Sequence, residues 1–145
     1  MTQAPIDTEA MQHLLGYALA QARVATNRAF FASVGESLQL RPVEFSLLVL
    51  LLSNEDANQR ELLEALNLNA PNLTILINKL QERGLVTRER STTDRRAQQV
   101  QLTDDGRALA LQAHELSTRM EADIRARFSA AEWAMLLELL QRAAR

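Results

Sequence analysis

Cysteine is absent from the 145 residues. That excludes disulfides, thiolate metal sites, a cysteine nucleophile and a thiol-based redox sensor. Glycine and proline are scarce, at four and three residues, and aromatics make up 4%. No run approaches 18 uninterrupted apolar residues, so no transmembrane helix is expected. The polar start MTQAPIDTEA has neither a basic nor an apolar signal-peptide region. A cytoplasmic protein without a membrane partner is the expectation. Leu and Ala, by contrast, number 26 and 22. Both favour helices, which Gly and Pro break, so a mostly α fold is expected. Hydrophobic residues at 47% and charged residues at 23% fit a globular chain of one-domain length and argue against disorder.

Net charge is −2, but it is unevenly spread. Between Lys79 and Arg96 lie six basic residues (Lys79, Arg83, Arg88, Arg90, Arg95, Arg96) against three acidic ones (Glu82, Glu89, Asp94). The rest of the chain carries ten basic and fifteen acidic residues. A basic island in an acidic chain suits either a solvated face or an anion-binding surface.

The apolar period marks the elements. Residues 8–34 read as one long helix with two apolar stripes, Leu15, Leu19, Ala22, Ala29 and Tyr17, Val24, Phe31, and Gly35 as its C-cap. Pro42 opens a second helix whose run Phe45–Leu52 is apolar nearly all round and therefore central. A short helix over 59–66, a turn with Asn67 and Asn69, and a helix over 70–83 stopped by Gly84 form a helix-turn-helix. After Gly84 the period changes to two: strands at 85–90 and 99–103 enclose a hairpin, or wing. Thr103 caps a helix over 104–127, and Ser129 to Glu132 is a capping box for the last helix.

The predicted fold is mostly α with a small β-hairpin wing: a winged helix-turn-helix over 40–103 flanked by long dimerisation helices from 1–39 and 104–145. One copy of the chain offers those helices too few partners, so a homodimer is expected.

On the helix over 70–83, Leu73, Leu76, Ile77 and Leu80 share the core face. Pro71, Asn72, Thr74, Ile75, Asn78 and Lys79 point outward or flank that outward face. Asn can read adenine bidentately, Thr reaches bases or phosphates, Lys meets guanine or phosphate, and Ile75 can touch a thymine methyl. Arg88 and Arg90 extend the basic surface along the hairpin. At its tip, Arg95 and Arg96 suit a narrow minor groove, with Asp94 orienting them. Catalytic constellations are missing: no HExxH, no glycine-rich phosphate loop, no G-x-S-x-G, and two distant histidines, His13 and His114. The chain is therefore read as a non-enzyme, without metal or cofactor.

The chain resembles the MarR family of winged-helix transcriptional regulators. The matching residues are Leu40-Arg-Pro-Val-Glu-Phe45, Gln59-Arg-Glu-Leu62, Leu73-Thr-x-Leu-Ile-x-Lys-Leu80 with Arg83-Gly-Leu-Val86 and Arg88, then Asp94, Arg96, Leu102 and Thr103 in the D-x-R-x(5)-L-T pattern. The resemblance implies a homodimeric repressor on a palindromic operator. The helix over 70–83 would lie in the major groove and the wing arginines in the minor groove. DNA release would follow binding of a small aromatic or phenolic acid or its thioester. Ile75 departs from the family, many of whose members carry Arg there.

The second stripe of the first helix holds a lone Arg28 beside Tyr17, Val24 and Phe31. Such an Arg is costly to bury unless an anion meets it. It either snorkels, pairs with a carboxylate of another helix, or receives the anionic group of an inducer whose ring packs on Tyr17, Phe31 and Phe45. A different function class stays open: a helical protein-interaction module whose winged helix no longer binds DNA.

Overall fold

The computed structural model describes residues 6–55, 57–90 and 98–145. After a 3-10 turn at Glu9–Met11, helices α1 (Leu15–Phe30), a π-helical turn (Phe31–Gly35), α2 (Glu36–Leu38), α3 (Pro42–Ser53), α4 (Gln59–Leu66) and α5 (Ala70–Glu82) follow in order. The strands β1 (Val86–Arg90) and β2 (Gln98–Leu102) come next, then α6 (Asp104–Met120), α7 (Ala122–Arg125) and α8 (Ala130–Ala143). Contacts group these into two compact units, Phe30–Met120 and a second that joins residues up to Ala29 with Glu121–Arg145.

The first unit holds the core. Leu47, Leu48 and Leu51 of α3 meet Leu62 of α4, Leu73, Ile77 and Leu80 of α5, and Val86 and Val100 of the hairpin, all buried. The hairpin is antiparallel, with Val86 opposite Leu102 and Arg88 opposite Val100. The residues just before α4 join it through an isolated bridge: Asn58 pairs with Gln99, and the Val100 N–H donates to the Ala57 carbonyl. Helix α6 belongs to this unit as well, with Ala110 and Ala113 fully buried. The compact unit is thus wider than the 40–103 expected for the reading module.

Thr103 fastens α6 to the end of α5. Its hydroxyl donates to the Gly84 carbonyl at 2.6 Å and accepts the Gly106 N–H at 2.9 Å. Gly106 lies so close to the Leu85 carbonyl that a Cβ there would clash with backbone. Gly84, at φ 70°, makes the turn that starts the hairpin.

Three local expectations are corrected. The long N-terminal helix begins at Leu15, not Thr8. Gly35 is not its C-cap: it sits in right-handed helical backbone, and its missing side chain makes room for the Phe31 ring and the Leu40 carbonyl. The left-handed cap is Gln39, at φ 54°, and the Leu40 N–H returns to the Gly35 carbonyl. The helix expected over 104–127 stops at Met120 and resumes as the single turn α7.

In the second unit α1 and α8 line an apolar groove of about 430 Å³, formed by Leu15, Leu19, Ala22, Trp133, Leu136 and Leu140 among others. The capping box at Ser129 forms as read: its side chain accepts the Glu132 N–H, and the Glu132 carboxylate accepts the Ser129 N–H. Phe128 and Trp133 pack at 5.7 Å, with the Arg125 guanidinium over the Trp133 ring. Among the described residues, no helix is long and apolar enough to cross a membrane.

Candidate nucleic-acid interface

Helix α5 forms where its sequence says it should. The Asn69 side chain accepts the Asn72 N–H at 2.9 Å, Pro71 occupies the first turn, and Arg83 and Gly84 end it. Leu73, Leu76, Ile77 and Leu80 are buried, which turns Pro71, Asn72, Thr74, Ile75, Asn78 and Lys79 outward, all of them exposed. Ile75 is 64% exposed, an apolar side chain standing free among polar ones. The Thr74 hydroxyl bonds back along its own helix, donating to the Ala70 carbonyl at 3.0 Å.

Two anchors hold this polar face. The first is Glu44 of α3, buried to 2% exposure. Its Oε2 accepts the Arg41 N–H at 2.8 Å and lies 3.6 Å from an Arg83 guanidinium nitrogen. Its Oε1 forms an ion pair with Lys79 Nζ at 2.8 Å. Burial raises the Glu44 pKa. The Lys79 ammonium, the Arg41 N–H and the Arg83 guanidinium outweigh it and hold the carboxyl below the ordinary glutamate value. Arg83 also donates to the Gln39 carbonyl at 3.1 Å, tying α5 to the turn after α2.

The second anchor is Arg88 of β1. One terminal nitrogen donates to Asn78 Oδ1 at 2.6 Å and the other to Gln81 Oε1 at 2.7 Å. Residues 78 and 81 lie one turn apart on the same side of α5, within the span of one guanidinium. Arg90 is exposed at the end of β1. Asp94, Arg95 and Arg96 fall outside the described residues.

The sequence reading missed Glu44, Gln81 and Gln39. A carboxylate three residues into an otherwise apolar helix was the available signal for Glu44. Nothing local marks Gln81.

The expected ligand residues fall in both units. Phe31 and Phe45 join one aromatic cluster, each edge-on to Phe30 at 5.4 and 5.6 Å. Tyr17 is half-buried in the other unit, where Arg28 is exposed. That exposure matches the snorkelling alternative for Arg28 and removes the burial cost that an anion would have to offset. An Arg at the end of α1 keeps its head in water, and it pairs with no carboxylate among the described residues.

A model of the MarR family matches residues 38–97. The solved structure of the transcriptional repressor CouR bound to a 23-mer DNA duplex is 34% identical in sequence, covers 98% of this chain and 100% of that one, and superposes with a TM-score of 0.87. The chain belongs to the MarR family. CouR has also been solved with p-coumaroyl-CoA; that structure covers 97% of this chain and 99% of its own, at a TM-score of 0.86. A protein named for transcriptional regulation of the hcr operon in Thauera aromatica is 28% identical over 128 residues, 88% of this chain and 77% of that protein. As a MarR-family member the chain is a transcriptional regulator with a DNA-binding winged helix. Helix α5 is the second helix of its helix-turn-helix, after α4.

Proposed function

We propose that the protein is a homodimeric, ligand-responsive repressor acting in the cytoplasm on a palindromic operator. The observation that carries this reading is the outward face of α5, polar, exposed and held from both sides by Glu44 and Arg88. A solvated helix surface does not need such anchoring. Pro71, Asn72, Thr74, Ile75, Asn78 and Lys79 meet the major groove, Arg88 braces that face from the wing, and Arg90 extends the contact along the wing. Arg95 and Arg96, oriented by Asp94, enter the minor groove.

The dimer is supported by burial. Not one described residue in 6–29 or 121–145 is buried within the single chain, and Leu15, Leu19, Met135, Leu137 and Leu139 are exposed. Isolated helices of this length are marginal in water. A second copy covers those faces and brings two α5 helices to two half-sites.

The effector is an aromatic acid or its thioester. The chain's relative CouR binds such a thioester, p-coumaroyl-CoA. In this chain Phe31 and Phe45, both edge-on to Phe30, supply ring surfaces. Inducer and DNA then weaken each other's binding reciprocally. The test is fluorescence anisotropy with the chain's own upstream DNA, titrated with aromatic acids and their CoA thioesters. Tight binding to that DNA, released by at least one compound, is expected. No preference over unrelated DNA would leave an interaction module instead.

A further inference from the structure

We infer that Arg88 is a positioning residue that decides which base α5 reads, by turning the amides of Asn78 and Gln81 so that only their NH2 groups face outward. The inference rests on the DNA-binding reading above. A guanidinium has five donors and no acceptor, so the atoms it meets at 2.6 and 2.7 Å are the amide oxygens, Asn78 Oδ1 and Gln81 Oε1. Both bonds involve a charged donor and are among the stronger kinds. The anchor itself is firm: Arg88 is half-buried in β1, paired across the hairpin with the fully buried Val100.

Bidentate reading of adenine by Asn needs both ends of the amide: Oδ1 accepting from N6–H and Nδ2 donating to N7. In this protein Oδ1 is already engaged. Its second lone pair lies beside a positive guanidinium, which opposes the approach of another donor. What remains free on Asn78 is Nδ2, and on Gln81 Nε2, two donor groups one helical turn apart. A donor-only surface fits best the bases whose major-groove edge presents acceptors without an amino group, guanine through O6 and N7 or thymine through O4, whereas adenine offers N7 alone beside its N6 amino group. Such a surface leaves the N6 amino group of adenine and the N4 amino group of cytosine facing another donor. The adenine preference expected from an Asn at this place is thus replaced by one for a keto base, set by a residue of the wing.

Selection from random duplexes by the full-length protein tests this, using wild type, Asn78→Ala, Arg88→Met and Arg88→Lys at one salt concentration, with melting curves to confirm folding. Asn78→Ala should flatten one operator position, and in wild type that position should hold guanine or thymine. Both Arg88 variants should admit adenine there, raising its share relative to the keto base about fivefold or more, with other positions unchanged. Arg88→Lys keeps the charge but cannot bridge two amides as a planar fork does, and it stands in if Arg88→Met fails to fold. The inference is overturned if the position holds adenine in wild type, or if Asn78→Ala flattens no position. It is equally overturned if the Arg88 variants weaken all sequences alike, as loss of a phosphate contact would. If wild type enriches no sequence at all, the DNA-binding reading itself falls, a result distinct from these.

Discussion

Glu44 and Gly106 show what single residues do here. Among the described residues Glu44 alone carries a charge into the core, and its neutralisation depends on Lys79 and Arg83 reaching over from α5. Because the folded chain lowers its pKa, the unfolded chain binds more protons at acid pH. The stabilisation is therefore complete above about pH 5 and is lost as pH falls through the lowered value. Glu44→Gln should cost about 1–3 kcal/mol at neutral pH, and thermal melts should show that gap closing in acid. A gap independent of pH would mean that shape, not charge, is what Glu44 supplies. Gly106→Ala forces a methyl into the Leu85 carbonyl and should cost about 1–3 kcal/mol or more. Gly16→Ala, with open space around it, should not lower the melting temperature. The sequence shows Glu44 as a polar residue near a helix start. Its pairing was not legible, since its partners lie 35 and 39 positions away.

At the scale of elements, whatever has a local cause was readable. Pro42, Asn69 with Pro71, Gly84 and the Ser129 box each set a boundary through their own backbone or side chain, and the structure places α3, α5, β1 and α8 accordingly. Gly35 misled because its smallness serves packing against Phe31, while the left-handed turn fell to Gln39, a residue with no such preference. The break after Met120 has no Gly or Pro to announce it. The isolated bridge to the hairpin, at Ala57 and Asn58, pairs through backbone alone and left no pattern. Of the candidate site, the outward face of α5 was legible from helical spacing; the anchoring of Asn78 by Arg88 was not, because it depends on how the hairpin folds back. The wing is expected to act by charge. Arg95→Ala and Arg96→Ala should weaken binding to every DNA sequence and reduce the salt slope by about one unit per lost phosphate contact. Anisotropy titrations across a salt series would show this, and unchanged slopes in both variants would remove the wing from the interface.

The two compact units differ in how they are stabilised. Phe30–Met120 has a buried core of its own, while residues 6–29 and 121–145 have none within one chain. A groove lined by Leu15, Leu19, Trp133, Leu136 and Leu140 exposes apolar surface that water opposes and that a second copy can cover. Dimerisation and the folding of these helices should then be one process. Replacing Leu136 and Leu140 together with Glu should abolish the dimer and also melt the terminal helices, since the separated chain has nothing to hold them. Light scattering should give a dimer for wild type at micromolar concentration and a monomer for the double variant. Far-UV circular dichroism should show the variant losing helix, and its remaining helical signal should correspond to α3, α4, α5 and α6. The separated chain should bind DNA far more weakly, because one α5 then meets one half-site without the gain of joined sites. A double variant that is monomeric yet fully helical would show that the terminal helices stand without a partner. In that case the second copy serves only to bring two reading heads together.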